Sequence, residues 1–179
     1  MSDIKFEILD DTNINDVMEL EKKLYISFVE KIPNDWVKSK YTFIDNERLK
    51  PNRPYEKITV FLFKKNQEII ASIAVHFDMD NILELEDFNF NLKNREKSCE
   101  GLFFFVDSHQ DINFFDLEKH FYKMIQYLKD RDIQYVYGTC GKKLRSLYKM
   151  IGFKVLDKVD YKNDVVYFIK LDTCNILEK

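Results

Sequence analysis

Ile4, Phe6 and Ile8 alternate with polar residues, and that period of two predicts a short, half-buried first strand. Asp10-Asp11-Thr12-Asn13 follows, with the short polar side chains that cap helix starts. From Ile14 onward Val17, Leu20, Leu24, Ile26, Phe28 and Val29 keep an approximately helical spacing up to Pro33, whose ring nitrogen cannot donate to a helix ladder. Asn34 or Asp35 could cap another helix holding Trp36 and Val37. The polar stretch from Asp45 to Tyr55, which contains Pro51 and Pro54, predicts a loop.

Ile58 to Phe63 and Ile69 to Phe77 are β-branched and aromatic runs separated by Lys64-Lys65-Asn66-Gln67-Glu68, which predicts two antiparallel strands around a polar turn. Leu83, Leu85, Phe88 and Phe90 sit in an acidic connection of no clear period. Cys99 to Asp107 has the continuous apolar character of a buried strand. From Asp116 a helix presents Leu117, Phe121, Met124, Ile125 and Leu128 on one face and stops near Asp130. Gln134 to Thr139 is then a strand and Lys142 to Ile151 a helix. Phe153 to Val159 and Val165 to Leu171 are strands joined by a turn. A helix between the Cys99 and Gln134 strands implies that these two run parallel, whereas hairpins elsewhere imply antiparallel pairing. The expected architecture is α+β, a mixed central sheet of about seven strands with helices on both faces.

The length of 179 residues suits a single domain over 1–179. A net charge of −3, with 28 basic and 31 acidic residues interspersed, leaves no basic face for a nucleic-acid backbone. Cys99, Cys140 and Cys174 are odd in number and widely spaced, which argues for reduced thiols and a cytoplasmic location. The N-terminus lacks a signal peptide's apolar run, and the longest apolar run, Leu102 to Val106, is far too short for a bilayer. His76, His109 and His120 fall on different elements without metal-ligand spacing, so no metal and no membrane partner is expected.

Leu147-Tyr148-Lys149-Met150-Ile151-Gly152-Phe153 resembles the L-Y-x-x-x-G-F closing motif of the GNAT acyltransferase superfamily, and the order of elements is similar to that fold over nearly the whole chain. The resemblance implies that the two central parallel strands splay around a thioester's pantetheine arm. It also implies that the peptide groups of Phe105 and Val106 hold the acyl carbonyl and that Tyr148 protonates the departing thiolate, a role open to a phenol that keeps its proton near neutral pH. Gly152 stands where a helix hands over to a strand and predicts left-handed backbone. The family's Q/R-x-x-G-x-G/A phosphate loop is replaced by Ser108-His109-Gln110-Asp111-Ile112-Asn113-Phe114-Phe115. Asn113 and Phe115 there occupy glycine positions, and Asp107, Asp111 and Asp116 surround them with negative charge. Ser108, His109, Gln110 and Asn113 fall in the loop that this correspondence assigns to donor binding, and Lys143 on the later helix could instead supply a cationic partner for a phosphate.

Glu100-Gly101-Leu102-Phe103-Phe104-Phe105-Val106 also resembles the E-x-x-R-L-x-V strand of the autoinducer synthases and N-acyl amino acid synthases, with Phe103 in place of the Arg. That resemblance makes Glu100 the candidate base for the attacking amine. It further implies acetyl-CoA, another acyl-CoA or an acyl carrier protein as donor, and a small-molecule or peptide amine as acceptor. The expected activity is direct N-acyl transfer, by expectation of an acetyl group. The rival expectation is a catalytically inert GNAT-like domain that binds a ligand or protein through the same cleft, and a homodimer completing a sheet or site is a further possibility.

Overall fold

The alternating and β-branched runs become strands because each can bury at least one face in a shared sheet. The computed structural model describes residues 4–31, 37–107, 114–162 and 164–176. The strands are β1 (Ile4–Ile8), β2 (Tyr41–Ile44), β3 (Arg48–Pro51), β4 (Thr59–Lys65), β5 (Glu68–His76), β6 (Ser98–Val106), β7 (Tyr135–Gly141), β8 (Lys154–Tyr161) and β9 (Asp164–Asp172). The helices are α1 (Ile14–Tyr25), α2 (Val37–Lys40), α3 (Phe114–Lys129) and α4 (Arg145–Met150). Seven strands form one mixed sheet in the order β1-β4-β5-β6-β7-β9-β8, and β2 and β3 form a separate two-stranded sheet. The chain divides into two compact units, Met1–Ala74 with Phe103–His120, and Val75–Leu102 with Phe121–Lys179.

In the first unit Asn13 caps α1, its side chain accepting from the Asp16 N–H at 3.4 Å. Asp16 in the first turn and Lys22 and Lys23 in the last match the helix dipole. Leu20, Glu21 and Leu24 are its buried face, and the chain continues as a π-helical segment, Ile26–Lys31, where the spacing had predicted unbroken α-helix. Burial of Lys64 opposes its charge, but its hydrogen bonds to Asp16 and Glu7 outweigh that and hold its pKa above the ordinary lysine value. Asn66 and Gln67, both at positive φ, make the tight turn between β4 and β5. The stretch predicted as a loop from Asp45 contains β3. Asp45 and Asn46 take left-handed backbone and return the chain, and Pro51 sits at the end of β3 opposite Tyr41, where a proline is tolerated.

In the second unit β7 pairs antiparallel with β9 from Tyr135↔Asp172 to Gly141↔Val166, and β9 pairs with β8 through an irregularity between Val155 and Asp157. Charged Lys154, Asp157, Lys158 and Asp160 guard this outer edge against further pairing. The predicted helix from Lys142 begins as a 3-10 turn, Lys142–Leu144, before α4. Gly152 follows α4 at φ +99°, as its place between helix and strand predicts, and a Cβ there would meet Leu171 Cδ1 at 3.3 Å.

Candidate active site

β6 and β7 pair in parallel over four residues, Ser98–Gly101 against Tyr135–Gly138. The ladder stops at the Gly101/Gly138 pair, although β6 runs on to Val106 and β7 to Gly141. Glycine is demanded at the last rung: a Cβ on Gly138 would lie 2.9 Å from the Gly101 carbonyl oxygen, closer than real Cβ atoms approach. Gly138→Ala is therefore expected to cost about 1–3 kcal/mol by forcing these backbones apart. Gly101→Ala, whose Cβ would meet its nearest neighbours at 3.5 and 3.6 Å, should cost less. Thermal unfolding of the two variants checks the order.

Glu100 is the rung before this end and is almost wholly buried, at 1% exposure. Its Oε1 accepts the Leu85 N–H at 2.9 Å, from the 3-10 turn Glu84–Phe88. Register sets Glu100, Tyr137 and Lys170 side by side in one row across β6, β7 and β9, on a single face. Aromatic rings fill that face: Tyr137 stacks on Phe168 at 5.9 Å, Phe168 on Phe90 at 5.0 Å, and the Lys170 ammonium lies 3.6 Å above the Tyr135 ring.

Tyr148 belongs to the other face. Cys140 stands three residues beyond Tyr137 on β7, an odd offset that turns its side chain to the opposite side of the sheet. There it clusters with Tyr167 and Ile169, and Tyr148, Leu144, Phe153 and Val165 pack against them. The Tyr148 ring meets Phe153 edge-on at 5.2 Å. Burial, then proximity to Cys140, raises the Tyr148 pKa well above the usual phenol range, so the hydroxyl keeps its proton. Burial pushes the Cys140 thiol up to about 12, opposed by Arg145, and burial followed by the charge of Glu100 raises the Cys99 thiol further still. Both thiols are thus protonated and poor nucleophiles at neutral pH.

Glu100 and Tyr148 therefore flank the β6–β7 ladder from opposite faces rather than sharing one. Phe105, buried, and Val106, half-buried, are the last residues of β6. The Asp107 carboxylate, which the sequence set among charges that repel a phosphate, is joined to Lys23 at 2.6 Å, and the Asp107 N–H donates to the Ile70 carbonyl at 2.7 Å. Lys143 is exposed on its 3-10 turn. Ser108, His109, Gln110 and Asn113 lie outside the described residues. Arg95, Tyr137 and Lys170 carry no motif and are drawn in only by register and by the folding of the 79–95 connection. Among the described residues no group of three or more His, Cys, Asp or Glu could hold a metal, and no helix is long and apolar enough to cross a membrane.

No protein-family profile and no curated protein matches the sequence. Solved structures do match its fold. The acyl-homoserine lactone synthase LasI has a TM-score of 0.76 at 13% identity, covering 97% of this chain and 91% of its own. BjaI, a CoA-dependent acyl-homoserine lactone synthase solved with SAM and isopentyl-CoA, has a TM-score of 0.72 at 12% identity, covering 95% and 83%. FeeM, an N-acyl amino acid synthase from uncultured soil microbes, has a TM-score of 0.61 at 12% identity, covering 98% and 93%. The chain has the GNAT-like acyltransferase fold, and these likenesses lie in the autoinducer-synthase and N-acyl amino acid synthase branch that the Glu100 strand resembles. At such identities they carry the fold and nothing finer.

Proposed function

We propose that this protein is an N-acyltransferase that moves an acyl group from the thioester of CoA or an acyl carrier protein to an amine. The observation that carries the reading is the parallel ladder that ends at Gly101/Gly138 with a buried carboxylate on one face and a protonated phenol on the other. The amine approaches from the Glu100 face and the thioester sulfur from the Tyr148 face. The amine nitrogen bonds to the carbonyl carbon while Glu100 takes its proton. The carbon–sulfur bond then breaks, Tyr148 gives its proton to the thiolate, and the products are an amide and a free thiol. Glu100 releases the amine proton to solvent, and solvent returns a proton to Tyr148. Acetyl-CoA, other acyl-CoAs such as the isopentyl-CoA found with BjaI, and acyl carrier protein are the candidates for the same sulfur position.

Thermal denaturation with acetyl-CoA, longer acyl-CoAs and acyl carrier protein tests donor binding. A donor held at 100 times its Kd stabilises by about 2.7 kcal/mol, a rise in Tm of roughly 5–10 °C for a chain of this size. Release of free thiol on adding amines then identifies the acceptor. A protein that shifts with none of these donors is not an acyltransferase, and the inert binding domain takes its place.

A further inference from the structure

We propose that Arg95 is the positioning residue for the Glu100 carboxylate, acting through the backbone of the turn that contacts it. The kinetic consequence rests on the acyltransfer reading, whereas the mechanical link does not. Arg95 Nη1 donates to the carbonyl oxygens of Met79 at 2.7 Å and Asn81 at 3.3 Å, and Nη2 pairs with Glu86 Oε1. The second oxygen of Glu86 accepts the Leu83 N–H at 3.0 Å, and the Glu86 N–H donates back to the Leu83 carbonyl at 3.2 Å. These bonds fix the first turn of the 3-10 segment. Its next amide, on Leu85, is the donor to Glu100 at 2.9 Å.

One guanidinium thus ties both ends of a connection to the carboxylate that orders its turn, and that turn presents the Leu85 N–H to Glu100. Three acceptors spread around one planar cation suit the fork of arginine and not the single ammonium of lysine. Leu83 and Leu85 anchor the turn, both almost fully buried, so a shift of the turn moves the Leu85 amide as a rigid unit. Arg95 and Glu86 retain 30% and 24% side-chain exposure, a setting in which an ion pair adds little to global stability. Its effect is local geometry. A base displaced by about 1 Å can lose as much as 10²-fold in rate.

The experiment combines amide hydrogen exchange at Leu85 with steady-state acyl transfer in the full-length protein, using Arg95→Ala, Arg95→Lys and Glu86→Gln. Arg95→Ala is expected to speed Leu85 exchange at least about tenfold and to lower kcat roughly ten- to hundredfold, with the donor-induced rise in Tm kept. Glu86→Gln should reproduce both effects, and Arg95→Lys should restore part of each. Unchanged Leu85 exchange in Arg95→Ala overturns the link, and faster exchange with wild-type kcat overturns the positioning role. Wild-type protein without turnover or donor binding removes the acyltransfer reading and the kinetic role with it, while the exchange result still decides the link.

Discussion

Tyr148→Phe is expected to lose at least about a hundredfold in turnover while binding its donor and folding as the wild type does. Phenylalanine preserves the ring that meets Phe153 edge-on and packs with Leu144 and Val165 on the Cys140 cluster. Only the hydroxyl goes, and the loss of one hydrogen-bonding group costs stability by about 1 kcal/mol. The expected rate effect is larger because the leaving thiolate would then depart unprotonated beside the apolar side chains that pack around Tyr148. The raised Tyr148 pKa keeps the acid in its proton-bearing form throughout the neutral range. Thiol-release kinetics, beside thermal denaturation with and without donor, separate the two roles. A variant with full turnover makes Tyr148 a packing residue; one with low turnover and an unchanged donor shift makes it the acid.

What could be read from the chain was what local spacing decides. The β4–β5 turn follows from Asn66-Gln67 between two apolar runs, and the left-handed Gly152 from its place after a helix. The parallel β6–β7 pair follows from the helix between the two strands. The β2–β3 pair was hidden because two prolines and a polar composition imitate a loop, although Asp45-Asn46 is a hairpin turn in its own right. Side-chain partners were hidden for a different reason. Lys23 meets Asp107 across 84 positions, and Glu100 meets the Leu85 amide across 15, distances over which charge pattern carries no pairing information. The motif residues Glu100 and Tyr148 were legible, but their lying on opposite faces depends on the parity of a register between strands 35 residues or so apart, which only the ladder reveals.

That same register explains why the two chemical groups need not interfere. A carboxylate and a phenol on one face at close range would share a proton and couple their titrations. Set on opposite faces, with Gly101 and Gly138 as the last paired residues between them, each keeps its own environment: Glu100 against a backbone donor, Tyr148 against apolar rings and a protonated thiol. Tyr148 thus keeps the proton that the acid of the proposed reaction requires.

Glu21→Ala is expected to cost about 3 kcal/mol, because it removes a buried carboxylate that two half-buried donors share. Glu21 is 2% exposed on α1, and its carboxylate accepts from Arg48 Nη1 and from the Tyr55 hydroxyl, each at 3.3 Å. Removing the carboxylate leaves the guanidinium, whose side chain is 21% exposed, with its 3.7 Å pair to the exposed Asp45 carboxylate, and takes the acceptor from the phenol beside it. For a protein of this size the Tm should fall by roughly 6–12 °C. Glu21→Gln, which keeps an acceptor but not the charge, should fall between that and the wild type. The alkaline limb supplies an independent check. Burial first, then the charge of Glu21 and its hydrogen bond, raise the Tyr55 pKa far above its ordinary value of 10.0. A raised folded pKa means that the folded state holds its proton more tightly than the unfolded chain. The associated stability is complete below pH 10 and declines as the pH rises beyond it. Without the charge of Glu21 the folded pKa of Tyr55 drops toward its unfolded value, so Glu21→Gln should lose stability less steeply above pH 10 than the wild type. Chemical denaturation across that range measures the difference, and equal slopes would show that Glu21 does not govern the Tyr55 proton.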